Sequence, residues 1–111
     1  MAFNIEIISP DKLIFNEEVD MVIIPALEGD IGILEKHMPL VTSLRLGLVY
    51  IYKNQKLLKK FLINGGIIEV FDNKCTLLSE DISDVDVKLE KQENDELHSQ
   101  KLKVISNQYY N

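Results

Sequence analysis

Few residues in this 111-residue chain have types suited to chemistry. Two histidines (His37, His98), one cysteine (Cys75) and one arginine (Arg45) stand among eighteen carboxylates and eleven lysines. A general acid or base would be His37, which lies in EGDIGILEKHMPL at residues 28–40. That stretch also holds two glycines and a proline, the composition of either a catalytic loop or a shaped surface. Asp95 and His98 stand one helical turn apart, a spacing seen on many solvated helix faces and short of the two or more His or Cys ligands a metal site usually needs. No G-x-S-x-G elbow accompanies the serines. Cys75 sits in the apolar run KCTLLSE and reads as a buried thiol, not a nucleophile. Gly65-Gly66 is followed by neither G-K-S/T nor G-x-G-x-x-G, so it does not cradle phosphate. Pro39 confines Met38 to extended backbone. His37 therefore reads as a residue that bonds loop backbone or touches a partner. No catalytic residue, cofactor or metal site is assigned.

The elements that must position these residues are short strands. FNIEII (3–8) alternates apolar and polar residues with the period of two of a half-buried strand. Pro10-Asp11 marks a turn before KLIF. Residues 19–24 are rich in β-branched side chains and are expected to end at Pro25. Residues 45–53 form a long strand candidate. Asn54-Gln55 then turns into LLKKFLI, Gly65-Gly66 reads as a bulge or bend between sheets, and Asp72-Asn73-Lys74 turns into the last run. Regular punctuation with little helical periodicity before residue 84 predicts a mainly β, antiparallel sandwich. From residue 84 onward Gly and Pro vanish, acidic residues come early and Lys101 and Lys103 late, as a helix dipole favours. One helix over roughly 86–107 is expected, so the chain divides into a sandwich at 1–84 and a helical segment at 85–111.

Composition narrows the function. At this length a chain buries roughly 65% of its unfolded surface, and 46% hydrophobic residues suffice for a core without disulfides. A net charge of −6 opposes nucleic-acid binding, which needs clustered Lys and Arg. No apolar run approaches the roughly 18–20 residues of a membrane span. Neither a basic leader nor an Arg-rich transit pattern opens the chain, so a soluble, intracellular chain is expected. Lysine, isoleucine and asparagine abundance suggests an AT-rich genome.

Two separated stretches, EGDIGILEKHMPLVTSLRLGLVYI and FLINGGIIEVFDNKCTLLSEDI, closely resemble the epsilon subunit of F-type ATP synthases and its mitochondrial delta counterpart. The matching positions are Glu28-Gly29, Ile31-Gly32-Ile33, His37, Pro39, Leu40-Val41 and Gly65-Gly66, within a likeness spanning roughly residues 3–84. The resemblance implies a ten-stranded β-sandwich and a non-catalytic rotor subunit of the central stalk. Such a subunit lies in a hetero-oligomeric complex peripheral to the cytoplasmic face of a bacterial inner membrane. It implies gamma and the c-ring as partners, with contacts at Glu28, Asp30, Ile31, Ile33, His37, Met38 and Pro39, and structural roles for Gly29, Gly32, Gly65 and Gly66. It also implies coupling of proton or other ion flow to ATP synthesis. The sequence departs from the family at Glu35-Lys36, where the family usually has Pro-Gly. It also stops at Asn111, with room for only the first helix of the usual two-helix hairpin, and residues 87–97 lack the Ala- and Arg-rich motif associated with ATP binding. Reduced inhibition by the hairpin is therefore expected. A stand-alone β-sandwich binding module is the alternative reading.

Overall fold

The computed structural model describes residues 2–85, and the expected helix over 86–107 lies outside them. Eight strands follow one another: β1 Phe3–Ile8, β2 Leu13–Val19, β3 Met21–Ala26, β4 Gly29–Leu34, β5 Leu40–Lys53, β6 Lys56–Phe71, β7 Lys74–Leu78 and β8 Ile82–Val85. They hydrogen-bond in the order β2-β1-β7-β6-β5-β3-β4, with β8 also on β6.

This single run of strands becomes two layers because β5 and β6 are long and bend together. Their register passes from Leu44↔Gly66 to Leu46↔Asn64, leaving Arg45 and Gly65 unpaired at the corner. Beyond the corner, residues 67–71 of β6 pair with β7, while residues 60–63 pair with β8. One layer is therefore β2-β1-β7 with the second half of β6 and the first half of β5. The other is β8, the first half of β6, the second half of β5, β3 and β4. Counting each half separately gives five strands per layer, which is how eight continuous strands make a ten-stranded sandwich.

The turns have the chemistry their residues favour. Asn54-Gln55 (φ 55° and 64°) and Asp72-Asn73 (φ 49° and 61°) both join strands through two residues with positive φ. These are the primed turns that match strand twist. At the β1–β2 turn the Ser9 hydroxyl donates to the Lys12 carbonyl and accepts the Lys12 N–H.

Three details differ from the sequence expectation. The apolar stretch at 19–24 is two strands, not one: Asp20 breaks it, its N–H donating to the Tyr52 carbonyl and its carboxylate accepting the Asn54 N–H. Side-chain competition of this kind is what makes Asp a strand breaker. Pro25 lies inside β3 and does not end it. The ladder to β5 skips from Ile23↔Tyr50 to Ala26↔Leu44, so the residue without an N–H sits in an irregularity that requires none. Finally, β1 and β7 run parallel, from Asn4↔Lys74 to Ile8↔Leu78, while every other pairing is antiparallel. No hairpin joins these two strands, so no turn dictates their direction.

The core lies between the layers. Ile5, Ile7, Ile68 and Leu77 from one layer meet Val22, Ile24, Ile33, Ile51 and Ile63 from the other, all fully buried. Phe15 and Phe61 meet edge to face with centroids 5.7 Å apart, a favoured aromatic geometry. A second apolar cluster of Met21, Ile23, Leu34 and Tyr52 is also buried.

Cys75 belongs to the main core, and burial pushes its thiol up to about 12. Its folded pKa exceeds the unfolded value, so the stability it confers is complete below pH 9 and declines as pH rises towards 12. The slope in that window is roughly 1.4 kcal/mol per pH unit. Two measurements check this. The native thiol should react with a disulfide reagent at pH 8 at least 100-fold more slowly than the urea-unfolded chain, and the urea midpoint should fall between pH 9 and 11 in wild type more than in Cys75→Ala.

Candidate functional site

The segment 28–40 forms two sites, one at each end of β4. At the far end, the chain leaves β4 through Glu35-Lys36. The His37 N–H closes the turn on the Leu34 carbonyl at 3.1 Å. The half-buried His37 ring lies with Nδ1 2.7 Å from the Met38 carbonyl, so Nδ1–H is the donor. His37 thus shapes its own loop. Met38 follows at 78% exposure, and Pro39 begins the extended run into β5.

Lys36 has φ 61°, a left-handed backbone at the position where the resembling family carries Gly. A side chain there costs roughly 1–2 kcal/mol. The fold retains the turn by satisfying its backbone: the Lys36 N–H donates to Asn73 Oδ1 at 2.8 Å. Since Gly gives up some of that gain to unfolded-chain entropy, Lys36→Gly should stabilise the protein by about 0.5–1 kcal/mol, read from the urea midpoint.

At the near end, Leu27-Glu28 turns β3 into β4, and both side chains are exposed. Asp30 meets Arg45 at 2.7 Å, with Arg45 at the β5 corner. The chain's one arginine therefore sets the orientation of this carboxylate, through a half-exposed pair whose contribution to stability is about 0–1 kcal/mol. Gly47 lets this corner close: a Cβ there would lie 2.7 Å from Pro25 Cβ.

The family resemblance groups Asp30 with His37 among the partner contacts. The structure places them at opposite ends of β4: Asp30 is its second residue and His37 follows its last, Leu34, roughly 13 Å further along the strand. Ile33 needs correction as a contact residue. It is fully buried in the main core, because strand alternation turns it inward. Ile31 is half-buried against the same core. Of the four glycines given structural roles, Gly29, Gly65 and Gly66 have positive φ. Gly32 lies mid-strand opposite Ile23.

Sequence reasoning missed the surface that joins these parts. Pro39, Leu40, Val41, Glu69, Val70 and Phe71 line a groove of about 330 Å³ on the β5–β6 face. Val41 and Phe71 are each 64% exposed. Towards the corner, the register aligns Ile67, Leu78, Ile8 and Leu13 across four strands on the outer side of the same layer. Three of these, Ile67, Leu78 and Leu13, are exposed. IIEVF carried the signal. Its two parities put Ile68 and Val70 inward but Ile67 and Phe71 outward, so the strand is apolar on both faces. Such two-faced patterning marks a surface built to be covered.

Among the described residues, no three His, Cys, Asp or Glu side chains converge as a metal would require. What the site offers is shape, an apolar face and an oriented carboxylate.

Comparison with known proteins agrees with this architecture. The model of the family described as the ATP synthase delta/epsilon chain, beta-sandwich domain, matches residues 2–85. An ATP synthase epsilon chain of Leptospira borgpetersenii is 41% identical over 91 residues, covering 79% of this chain and 71% of its own. The epsilon chain of Rhodospirillum rubrum is 35% identical over 80 residues, covering 72% of this chain and 60% of the relative, so the present chain matches less than two thirds of that protein's length. Two solved structures share the fold. A chain of the Tetrahymena thermophila mitochondrial ATP synthase central stalk and c-ring aligns with TM-score 0.64 at 23% identity, covering 73% of this chain and 65% of that one. A chain of the Euglena gracilis mitochondrial ATP synthase aligns with TM-score 0.70 at 20% identity, covering 88% and 64%. With the sandwich, its corner glycines and the 28–40 segment all in place, the chain belongs to the ATP synthase delta/epsilon chain beta-sandwich domain family.

Proposed function

We propose that this chain is a non-catalytic rotor subunit of an F-type ATP synthase, peripheral to the membrane, that fixes the gamma subunit to the c-ring. The sandwich (1–84) is the docking domain and residues 85–111 a separate segment. The observation that carries the reading is the outward apolar surface of Met38, Val41, Ile67, Phe71 and Leu78 on this family's sandwich. An exposed apolar surface of that kind marks a site of interaction with a partner. In this proposal gamma packs on that layer, while Glu28 and Asp30, at the other end of β4, meet the polar loops of the ring. Coupling is then mechanical: ion flow turns the ring, and the sandwich transmits torque to gamma while catalysis occurs elsewhere in the complex.

Co-expression with the gamma subunit of the same organism tests the proposal. A stoichiometric complex on size exclusion is expected. Failure of the full chain to bind gamma, either alone or with the c-ring present, would overturn it.

A further inference from the structure

We propose that Asn73, 37 residues from the His37 loop in sequence, is its positioning residue; the role assigned to that loop rests on the function proposed above. The Asn73 side chain joins the His37 loop to the N-terminal segment. Its Oδ1 accepts the Lys36 N–H at 2.8 Å, and its Nδ2 donates to the Ala2 carbonyl at 3.0 Å. Its own carbonyl accepts the Asn4 N–H at 3.2 Å. Both ends of the side-chain amide are used, an arrangement that neither Asp nor Ser can reproduce.

The backbone explains why the residue is Asn. Asn73 is the second residue of the β6–β7 turn at φ 61°, a conformation Asn tolerates better than most residues. Lys36 is also left-handed, and with a side chain that costs energy, so the loop needs an external hold to keep that turn. Asn73 supplies it and sets the direction in which Met38 and Pro39 leave the sandwich. Phe71, two residues earlier, lines the groove that Pro39 also lines. A single side chain therefore fixes the loop relative to the apolar floor beside it. Without that hold, the docking-competent loop is only a fraction of the population, and apparent affinity falls by that fraction. One exposed hydrogen bond corresponds to roughly a three- to tenfold loss.

The test uses the full chain in three forms. Asn73→Gly keeps the positive φ and removes both side-chain bonds. Asn73→Asp keeps an acceptor for Lys36 and removes the donor to Ala2. Amide exchange at Lys36 should accelerate at least fivefold in Asn73→Gly and remain near wild type in Asn73→Asp. Affinity for gamma should fall three- to tenfold in Asn73→Gly while the urea midpoint changes little, and Asn73→Asp should recover most of it. Unchanged Lys36 exchange in Asn73→Gly would overturn the clamp. Faster exchange with unchanged gamma affinity would overturn the positioning role. If wild type does not bind gamma at all, the proposed function falls and the positioning role with it, whereas the exchange measurement still decides the clamp.

Discussion

Gly66→Ala is expected to destabilise the sandwich by about 3 kcal/mol, by far more than its one added methyl group would suggest. Two costs coincide at this residue. Its φ of 138° is a conformation that L side chains rarely adopt, and a Cβ would lie 2.4 Å from the Leu78 carbonyl oxygen and 3.1 Å from Ser79 Cβ. Neither neighbour can withdraw. Leu78 is the last residue of β7 and pairs with both Ile67 and Ile8. Buried Ser79 donates its hydroxyl to the Gly65 carbonyl at 2.7 Å, and its N–H donates to the Ile8 carbonyl at 3.1 Å. Relief would require opening the corner where β6 passes from one layer to the other. For a domain of this size the melting temperature should drop by about 12 °C or more. Gly29→Ala separates the two costs, because Gly29 has φ 140° with nothing within 4 Å of its added Cβ. It should lose only the conformational part, about 1–2 kcal/mol. Equal losses in the two variants, measured by urea denaturation, would show that the contact with Leu78 is not what makes Gly66 necessary.

That corner was legible in the sequence, and much of what depends on it was not. Gly65-Gly66 in an otherwise β pattern announced a bend, and Asn54-Gln55 and Asp72-Asn73 announced turns, because each depends on backbone conformations that few residues favour. Local chemistry of that kind can be read locally. The break at Asp20 was hidden because the residue that captures its carboxylate, Asn54, lies 34 positions away. The Asp30–Arg45 pair and the Lys36–Asn73 bond were hidden for the same reason. The parallel β1–β7 pairing joins the two ends of the domain, and nothing in either strand encodes its direction. The separation of Asp30 from His37 was within reach. Residues 29–34 alternate only weakly, but any extended segment of that length carries its two ends far apart. The family resemblance grouped the two residues because they are close in sequence, and the strand between them keeps them apart in space.

The opposite pattern, loss of binding with little loss of stability, is expected at the apolar surface. Phe71→Glu should weaken the complex with gamma at least 30-fold, a change of about 2 kcal/mol. Phe71 is 64% exposed on the outward side of β6, beside Val41 and Pro39, so in the isolated chain a carboxylate there stays in water. Its effect on the urea midpoint should correspond to about 0.5 kcal/mol or less. Once a partner covers the groove, the same carboxylate loses its hydration without gaining a cation, a cost of several kcal/mol. Val41→Glu on the neighbouring strand should behave alike. Leu62→Glu supplies the contrast, because Leu62 is partly exposed on β6 before the corner, in the other layer. Gamma binding retained by Leu62→Glu and lost by Phe71→Glu would assign the interface to the layer that carries the His37 loop. Loss in Leu62→Glu with retention in Phe71→Glu would move it to the opposite face and leave the groove without a role in the stalk.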